Sequence, residues 1–191
     1  ILLEGLHMSL VVGYASHKNS ILMSDGRASG VLATEYCNKT IKIKDHTIAG
    51  FVGYIEEAEF VLKDLKSKNF IGIDSSDDFV EFIEWQLSYK PEDISFNSTF
   101  CAIGFDRQHI LSTYFIGDIT RYKIEKHTVH QSEPRIMLMG GSAPPEKINT
   151  IFMENIKNYS LTPEERLRKT IIMVSEIDNS VNKNCYMQTL K

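Results

Sequence analysis

The order of hydrophobic patterns in this 191-residue chain predicts an α+β fold: two antiparallel sheets face to face with a helix pair outside each, a four-layer αββα sandwich. Three observations predict it. Strand-like runs rich in β-branched and aromatic residues fill about the first fifty positions, and the apolar spacing then changes to a helical period for two segments. Strand-like runs return, two further helical segments follow, and a last strand-like run closes the chain. With 42% hydrophobic residues the chain can bury one sizeable core. It shows no internal repeat and no low-complexity linker, so residues 8–191 are expected to form one domain. Residues 1–7 match nothing that follows, and the His7-Met8 pair reads as a cloning scar ahead of a natural start at Met8.

Leu10–Ala15 and residues 21–24 are apolar runs separated by the polar His17-Lys18-Asn19-Ser20, which predicts a hairpin. Residues 39–43 alternate Lys, Thr, Ile, Lys, Ile, and the turn-like Lys44-Asp45-His46 separates them from Thr47–Val52. These four runs together predict a β-meander. Ile55, Ala58, Val61, Leu62 and Leu65 then share one helical face opposite Glu and Lys. Ser75 and Asp78 have the spacing of a capping box ahead of a second stripe, Phe79, Phe82, Ile83 and Leu87, which Lys90-Pro91 ends. Thr99–Phe105 and residues 109–116, 120–124 and 135–139 read as a second antiparallel sheet, broken at Asp106-Arg107, Gly117-Asp118 and Glu133-Pro134. Residues 145–158 turn Ile148, Ile151, Phe152 and Ile156 inward, and Thr162 caps a helix opened by Pro163 that buries Leu167, Ile171 and Val174. That helix fades over residues 178–183 and leaves 184–190 as a final strand.

The net charge of −4 comes from interspersed residues of both signs, with no basic stripe to hold a phosphate backbone, which argues against nucleic acid as a partner. No apolar run reaches the length of a membrane span. Cys37, Cys101 and Cys185 are odd in number and unpaired in spacing, which points to a reducing, cytoplasmic setting. His127 and His130 lie three apart on a strand-like run and so face opposite sides, which is no metal pair, and no cofactor is expected. Trp85 reads as core or interface, and Met137, Met139, Met153 and Met173 as core filling.

Four pieces in order carry a resemblance: Ser9-Leu10-Val11-Val12-Gly13, Ser24-Asp25-Gly26-Arg27-Ala28-Ser29, Lys39-Thr40-Ile41-Lys42-Ile43 and Gly50-Phe51-Val52-Gly53. Together they resemble the opening of proteasome β-subunits and their bacterial, HslV-type relatives, the proteasome-like N-terminal nucleophile hydrolases. Ser9 stands where that family usually has Thr, Leu10 replaces a common second Thr, and the Asp25 to Lys39 interval is slightly shorter than typical. The resemblance spans residues 9–191 and implies the N-terminal nucleophile hydrolase fold.

Such an enzyme needs a hydroxyl on its first residue and a free α-amine on the same residue as base. Ser9 supplies both once Met8 is removed, and a small second residue suits ordinary methionine removal. The resemblance then implies that Lys39 lowers the basicity of that amine and favours the alkoxide, with Asp25 holding Lys39. It implies that the Gly53 N–H supplies an oxyanion donor, and that Asp178 with Ser142, and less directly Ser180, supports the amine. By the same carry-over Ala28, Phe51 and Ile55 border the pocket for the residue preceding the cut, and Arg27 reads as a structural ion-pair partner rather than a catalyst. The implied protein is a peptidase subunit of a homo-oligomeric ring acting on peptides or unfolded protein, which leaves room for an ATP-dependent unfoldase. The alternatives are a catalytically inactive structural subunit of such a ring, or a small-molecule amidase on the same fold.

Overall fold

The computed structural model describes residues 9–28, 34–88, 97–117 and 120–191. In chain order the elements are β1 Leu10–Ala15, β2 Ser20–Asp25, β3 Thr40–Ile43, β4 Thr47–Val52, α1 Ile55–Ser67, α2 Ser76–Ser88, β5 Thr99–Phe105, β6 Leu111–Gly117, β7 Glu125–Thr128, β8 Arg135–Gly140, α3 Pro145–Ile156, α4 Pro163–Val174 and β9 Cys185–Leu190. They form a four-stranded sheet, β8-β1-β2-β9, and a five-stranded sheet, β3-β4-β5-β6-β7, with antiparallel pairing throughout.

Three apolar layers separate the four structural ones. Val11, Leu22, Ile48, Val52, Ile103 and Met137 pack between the sheets. Val61, Leu65, Phe79, Ile83, Phe100 and Tyr114 seal α1 and α2 onto the five-stranded sheet. Leu10, Val12, Met23, Phe152, Leu167 and Ile171 seal α3 and α4 onto the four-stranded one. Each strand of the inner pair therefore sends alternate residues into two different cores, which is why β1, β2 and β4 read as nearly continuous apolar runs. Thr162 accepts from the Glu165 N–H while Glu165 returns a bond to the Thr162 N–H, the reciprocal cap that opens α4.

The expected β-meander is corrected. β1 and β2 form one hairpin and β3 and β4 another, but the hairpins belong to opposite sheets, and β8 joins the first sheet by pairing with β1. Strand periodicity carries no label for which of two sheets a hairpin joins, because both present one face to the same central core. Residues 120–124 are not a strand. Arg121 and Tyr122 take φ of 52° and 59°, a left-handed pair that no extended strand contains, and the Tyr122 N–H donates to Gly117 O at 2.7 Å. Tyr122 and Ile124 still pack against the α1 and α2 layer, so their alternation reported burial from a turn. The strand follows as β7, whose residues are all exposed.

Residue 109 also leaves its expected strand, with φ of 60° at His109 and the turn held by Asp106 Oδ1, which accepts the N–H of Gln108 and of Ile110. Trp85 is 50% exposed beside Phe82 and is not core. The helix stop expected at Lys90-Pro91 lies outside the described residues. Among the described residues no helix is long and apolar enough to cross a membrane.

Candidate functional site

Glycine lets the two sheets come close beside Asp25. A Cβ on Gly50 in β4 would stand 3.0 Å from Leu22 and 3.3 Å from Val11, so this glycine brings the end of β3 and β4 up to the end of β2. Asp25, the last residue of β2, thereby meets Lys39, the residue before β3, with Nζ 3.3 Å from Oδ1 and both side chains wholly enclosed. Asp25 is further held by three backbone donors, the N–H of Leu10 at 2.9 Å, of Arg27 at 2.9 Å and of Asn182 at 3.2 Å.

Ser9 comes to the same place from β1. Its carbonyl accepts the N–H of Gly141 at 3.0 Å, and a Cβ on Gly140, at φ of 88°, would collide with that carbonyl at 1.7 Å. The end of β8 can close over Ser9 only because position 140 carries no side chain. Ser9 Oγ donates to Arg27 O at 2.9 Å, and Lys39 Nζ donates to the same oxygen. Two donors on one acceptor stand within roughly 6 Å of each other. Ser9, Asp25 and Lys39 are thus brought together, with a backbone carbonyl as the hinge between Ser9 and Lys39.

Burial dominates the electrostatics. It pushes the Asp25 carboxyl above its usual range against the pull of Lys39 and the backbone donors, and it draws Lys39 below the usual range of an ammonium against the pull of Asp25.

Gly53 follows β4 with φ of 118°, and a Cβ there would meet Ser98 Oγ at 2.4 Å. The glycine is therefore demanded by Ser98, whose hydroxyl also accepts the Tyr54 N–H at 3.1 Å and donates to Glu57 at 2.5 Å. The Phe51 N–H donates to Lys39 O at 3.1 Å, and strand alternation turns the Gly53 N–H to that same edge. Among the described residues the Gly53 N–H has no acceptor.

Asp178, Ser142 and Ser180 do converge. Asp178 accepts the Ser142 N–H at 2.5 Å and hydroxyl at 3.0 Å, the Ala143 N–H at 2.8 Å, and the Ser180 N–H and hydroxyl at 2.8 and 2.6 Å. Burial opposes its charge, but the Ser180 hydroxyl and these backbone donors outweigh it and hold the carboxyl below its usual range. The cluster adjoins Ser9 through the neighbouring Gly141, whose N–H donates to the Ser9 carbonyl.

Of the three expected pocket residues, Phe51 lines a cleft of about 210 Å³ that also contacts Lys39, Ile41, Leu62, Glu59 and Lys66. Ala28, buried and bridged to Thr34, and Ile55, half-buried at the start of α1, are not part of its lining. Arg27 is an ion-pair partner, 2.7 Å from Glu35. Sequence reasoning missed the Arg27 carbonyl, Glu35 and Asn182. A carbonyl leaves no trace in residue type, and Asn182 lies 157 positions from the carboxylate it serves.

The layers form a four-layer αββα sandwich, two antiparallel sheets with a helix pair outside each. No protein-family model matches the sequence, and no curated protein matches it. Solved structures do. Eukaryotic HslV from Trypanosoma brucei superposes with a TM-score of 0.65 at 14% identity, over 95% of this chain and 99% of that one. Anbu, described as an ancestral β-subunit, from Yersinia bercovieri superposes at 0.68 with 10% identity, over 95% of this chain and 81% of that one. At such identities the likeness shows the fold.

Proposed function

We propose that this chain is a peptidase subunit of a proteasome-like ring, cutting peptide bonds with the Ser9 hydroxyl after Met8 and everything before it are removed. The observation that carries the reading is the meeting of Ser9 Oγ and Lys39 Nζ on one carbonyl oxygen, with the enclosed Asp25 behind the lysine. Ser9 Oγ attacks the scissile carbonyl and its proton passes to the Ser9 α-amine. An ester to Ser9 forms, the leaving amine takes that proton, and water then cleaves the ester. The Lys39 ammonium faces the developing alkoxide, and the Gly53 N–H is available to the carbonyl oxygen, a donor of a kind that carries about 10²–10³ in rate. The cleft at Phe51 and Leu62 suits the side chain preceding the cut, and Asp178 with Ser142 steadies the segment that binds the Ser9 carbonyl. The free Cys37, Cys101 and Cys185 accord with work in a reducing cytoplasm on peptides or unfolded chains, with an ATP-dependent unfoldase as a candidate feeder.

One observation favours a second reading. Ser9 is only 2% exposed, which suits an inactive structural subunit whose serine merely ties the sheets together. The test starts from protein expressed from Met8, weighed intact, and incubated with a peptide epoxyketone, which needs both hydroxyl and amine on one residue. Loss of Met8 and one adduct on Ser9, absent in Ser9→Ala and Lys39→Ala, is the expected result. A processed Ser9 that takes no adduct leaves the structural subunit standing.

A further inference from the structure

The turn after β2 does more than connect the sheets. It presents the Arg27 carbonyl to Ser9 and Lys39, and its own shape is set from outside by two residues that touch neither. Asn182, just before β9, spans the gap: Oδ1 accepts the Gly26 N–H at 2.8 Å, and Nδ2 donates to Glu35 O at 2.9 Å and to Glu35 Oε2 at 2.7 Å. Its own N–H completes the Asp25 carboxylate at 3.2 Å. Glu35 closes the other side, with Oε1 accepting from Arg27 Nε at 2.9 Å and from its terminal nitrogen at 2.7 Å, while Arg27 also donates to Asn179 O. The connection folds back on itself through Ala28 paired with Thr34 and the Cys37 N–H on Gly26 O. A Cβ on Gly26 would strike Asn184 at 2.7 Å and Glu35 O at 2.8 Å, so the clasp seats directly on this backbone.

We propose that Asn182 and Glu35 are positioning residues for the Ser9 centre, a clasp that fixes the Arg27 carbonyl and through it the Lys39 ammonium. The catalytic part of this rests on the peptidase reading; the geometric part does not. The Asn182 side chain reaches Lys39 through the backbone of the turn, while its N–H also holds the Asp25 carboxylate that pairs with the lysine. Glu35 is half exposed and neutralised by Arg27, so the clasp closes at the surface and acts on an enclosed pair.

The test uses the full chain started at Met8, with Asn182→Ala, Glu35→Ala and the conservative Glu35→Gln. Epoxyketone addition at Ser9 is expected to slow about tenfold in the two alanine variants, as is usual for outer partners of a site, and to recover most of the way in Glu35→Gln. In parallel, the 13Cε signal of Lys39 is followed against pH. With Arg27 O displaced the ammonium loses an acceptor, and its midpoint is expected to fall by about half a pH unit or more in Asn182→Ala; Glu35→Ala and Glu35→Gln both remove a carboxylate that raises Lys39 through space, so there the clasp is read as a lower midpoint in the alanine than in the glutamine variant. Thermal midpoints reveal any variant that is merely unfolded, and the Glu35→Ala and Glu35→Gln pair, at an exposed position, serves if Asn182→Ala does not fold.

Labelling at the wild-type rate with an unmoved Lys39 midpoint overturns the clasp while leaving Ser9 as nucleophile. A wild-type chain that takes no label, but whose Lys39 midpoint falls in the variants, keeps the clasp and removes the peptidase reading.

Discussion

Asp25 and Lys39 meet with both side chains fully enclosed, whereas Asp77, Asp78 and Asp106 meet Lys126 and Arg107 on the rim of the other sheet, where the two cations are 34% and 49% exposed. The residue types are the same and the consequences are opposite. At the rim, burial opposes ionisation but is outweighed. Lys126 and the Arg107 N–H hold Asp77 below its usual range, the Arg107 side chain does so for Asp78, and Lys126 does so for Asp106. Asp106 and Asp77 in turn hold Lys126 above its usual range. In the interior burial wins, and Asp25 rises while Lys39 falls. The rim cluster fastens the start of α2 to β5, β6 and β7. The interior pair, with burial opposing both charges, is a poor stabilising staple.

The sharpest way to break this contrast is Lys39→Ala. Removing one member of an enclosed pair leaves the other uncompensated, and the expected cost is about 3 kcal/mol by urea unfolding at neutral pH. The pH dependence has a definite sign. Without its lysine, Asp25 has a folded-state pKa raised further above the unfolded value, so the variant keeps stability in acid and loses it as pH rises through the folded value. The penalty should therefore be smaller at pH 5 than at pH 8, and an equal penalty at both would show that Asp25 is not the buried charge.

A smaller effect is expected at the rim from Tyr114→Phe. The Tyr114 ring is completely buried, while its hydroxyl donates to Asp77 Oδ1 at 2.9 Å. Burial first and the Asp77 carboxylate second push this phenol well above its usual range, so it donates at every accessible pH. The lost bond to a charged acceptor should cost about 1.5 kcal/mol, and it should leave Ser9 labelling unchanged. A change in labelling would mean that the two clusters communicate across the central core.

These clusters also divide what the sequence could tell from what it could not. Most strand and helix periods and the Thr162-Glu165 cap are local patterns, and these appear in the structure. Pairing across layers is not local. Nothing in residues 10–52 says that the first hairpin joins β8 and β9 while the second joins β5, because both bury a face in the same core. The clasp was hidden for the same reason, since Asn182 acts on Gly26 and Glu35 over 147 or more positions through side-chain amide contacts that leave no local pattern. Residues 120–124 misled in the other direction, because Tyr122 and Ile124 bury their side chains from a left-handed turn.

The smallest effect sharpens the contrast most finely, because it separates the two clusters by pH alone. Lys126 bridges Asp77 at 3.0 Å and Asp106 at 2.8 Å with its side chain partly in water, so Lys126→Ala should cost about 1 kcal/mol at neutral pH and low salt. Asp77 and Asp106 have folded values depressed below the usual 3.8. The stability they contribute is complete above the unfolded value and is lost as pH falls through the folded ones. In the variant that depression shrinks, so the acid limb of the stability curve should start from a lower plateau and fall less steeply below pH 4. The difference from wild type should shrink toward zero in strong acid, where all carboxylates are protonated in both proteins, and should also narrow in molar salt, where exposed charges are screened. A gap that persists undiminished in acid would mean that Lys126 contributes through its packing over the Tyr114 ring, 5.5 Å from the centroid, and that the rim is held by contact more than by charge.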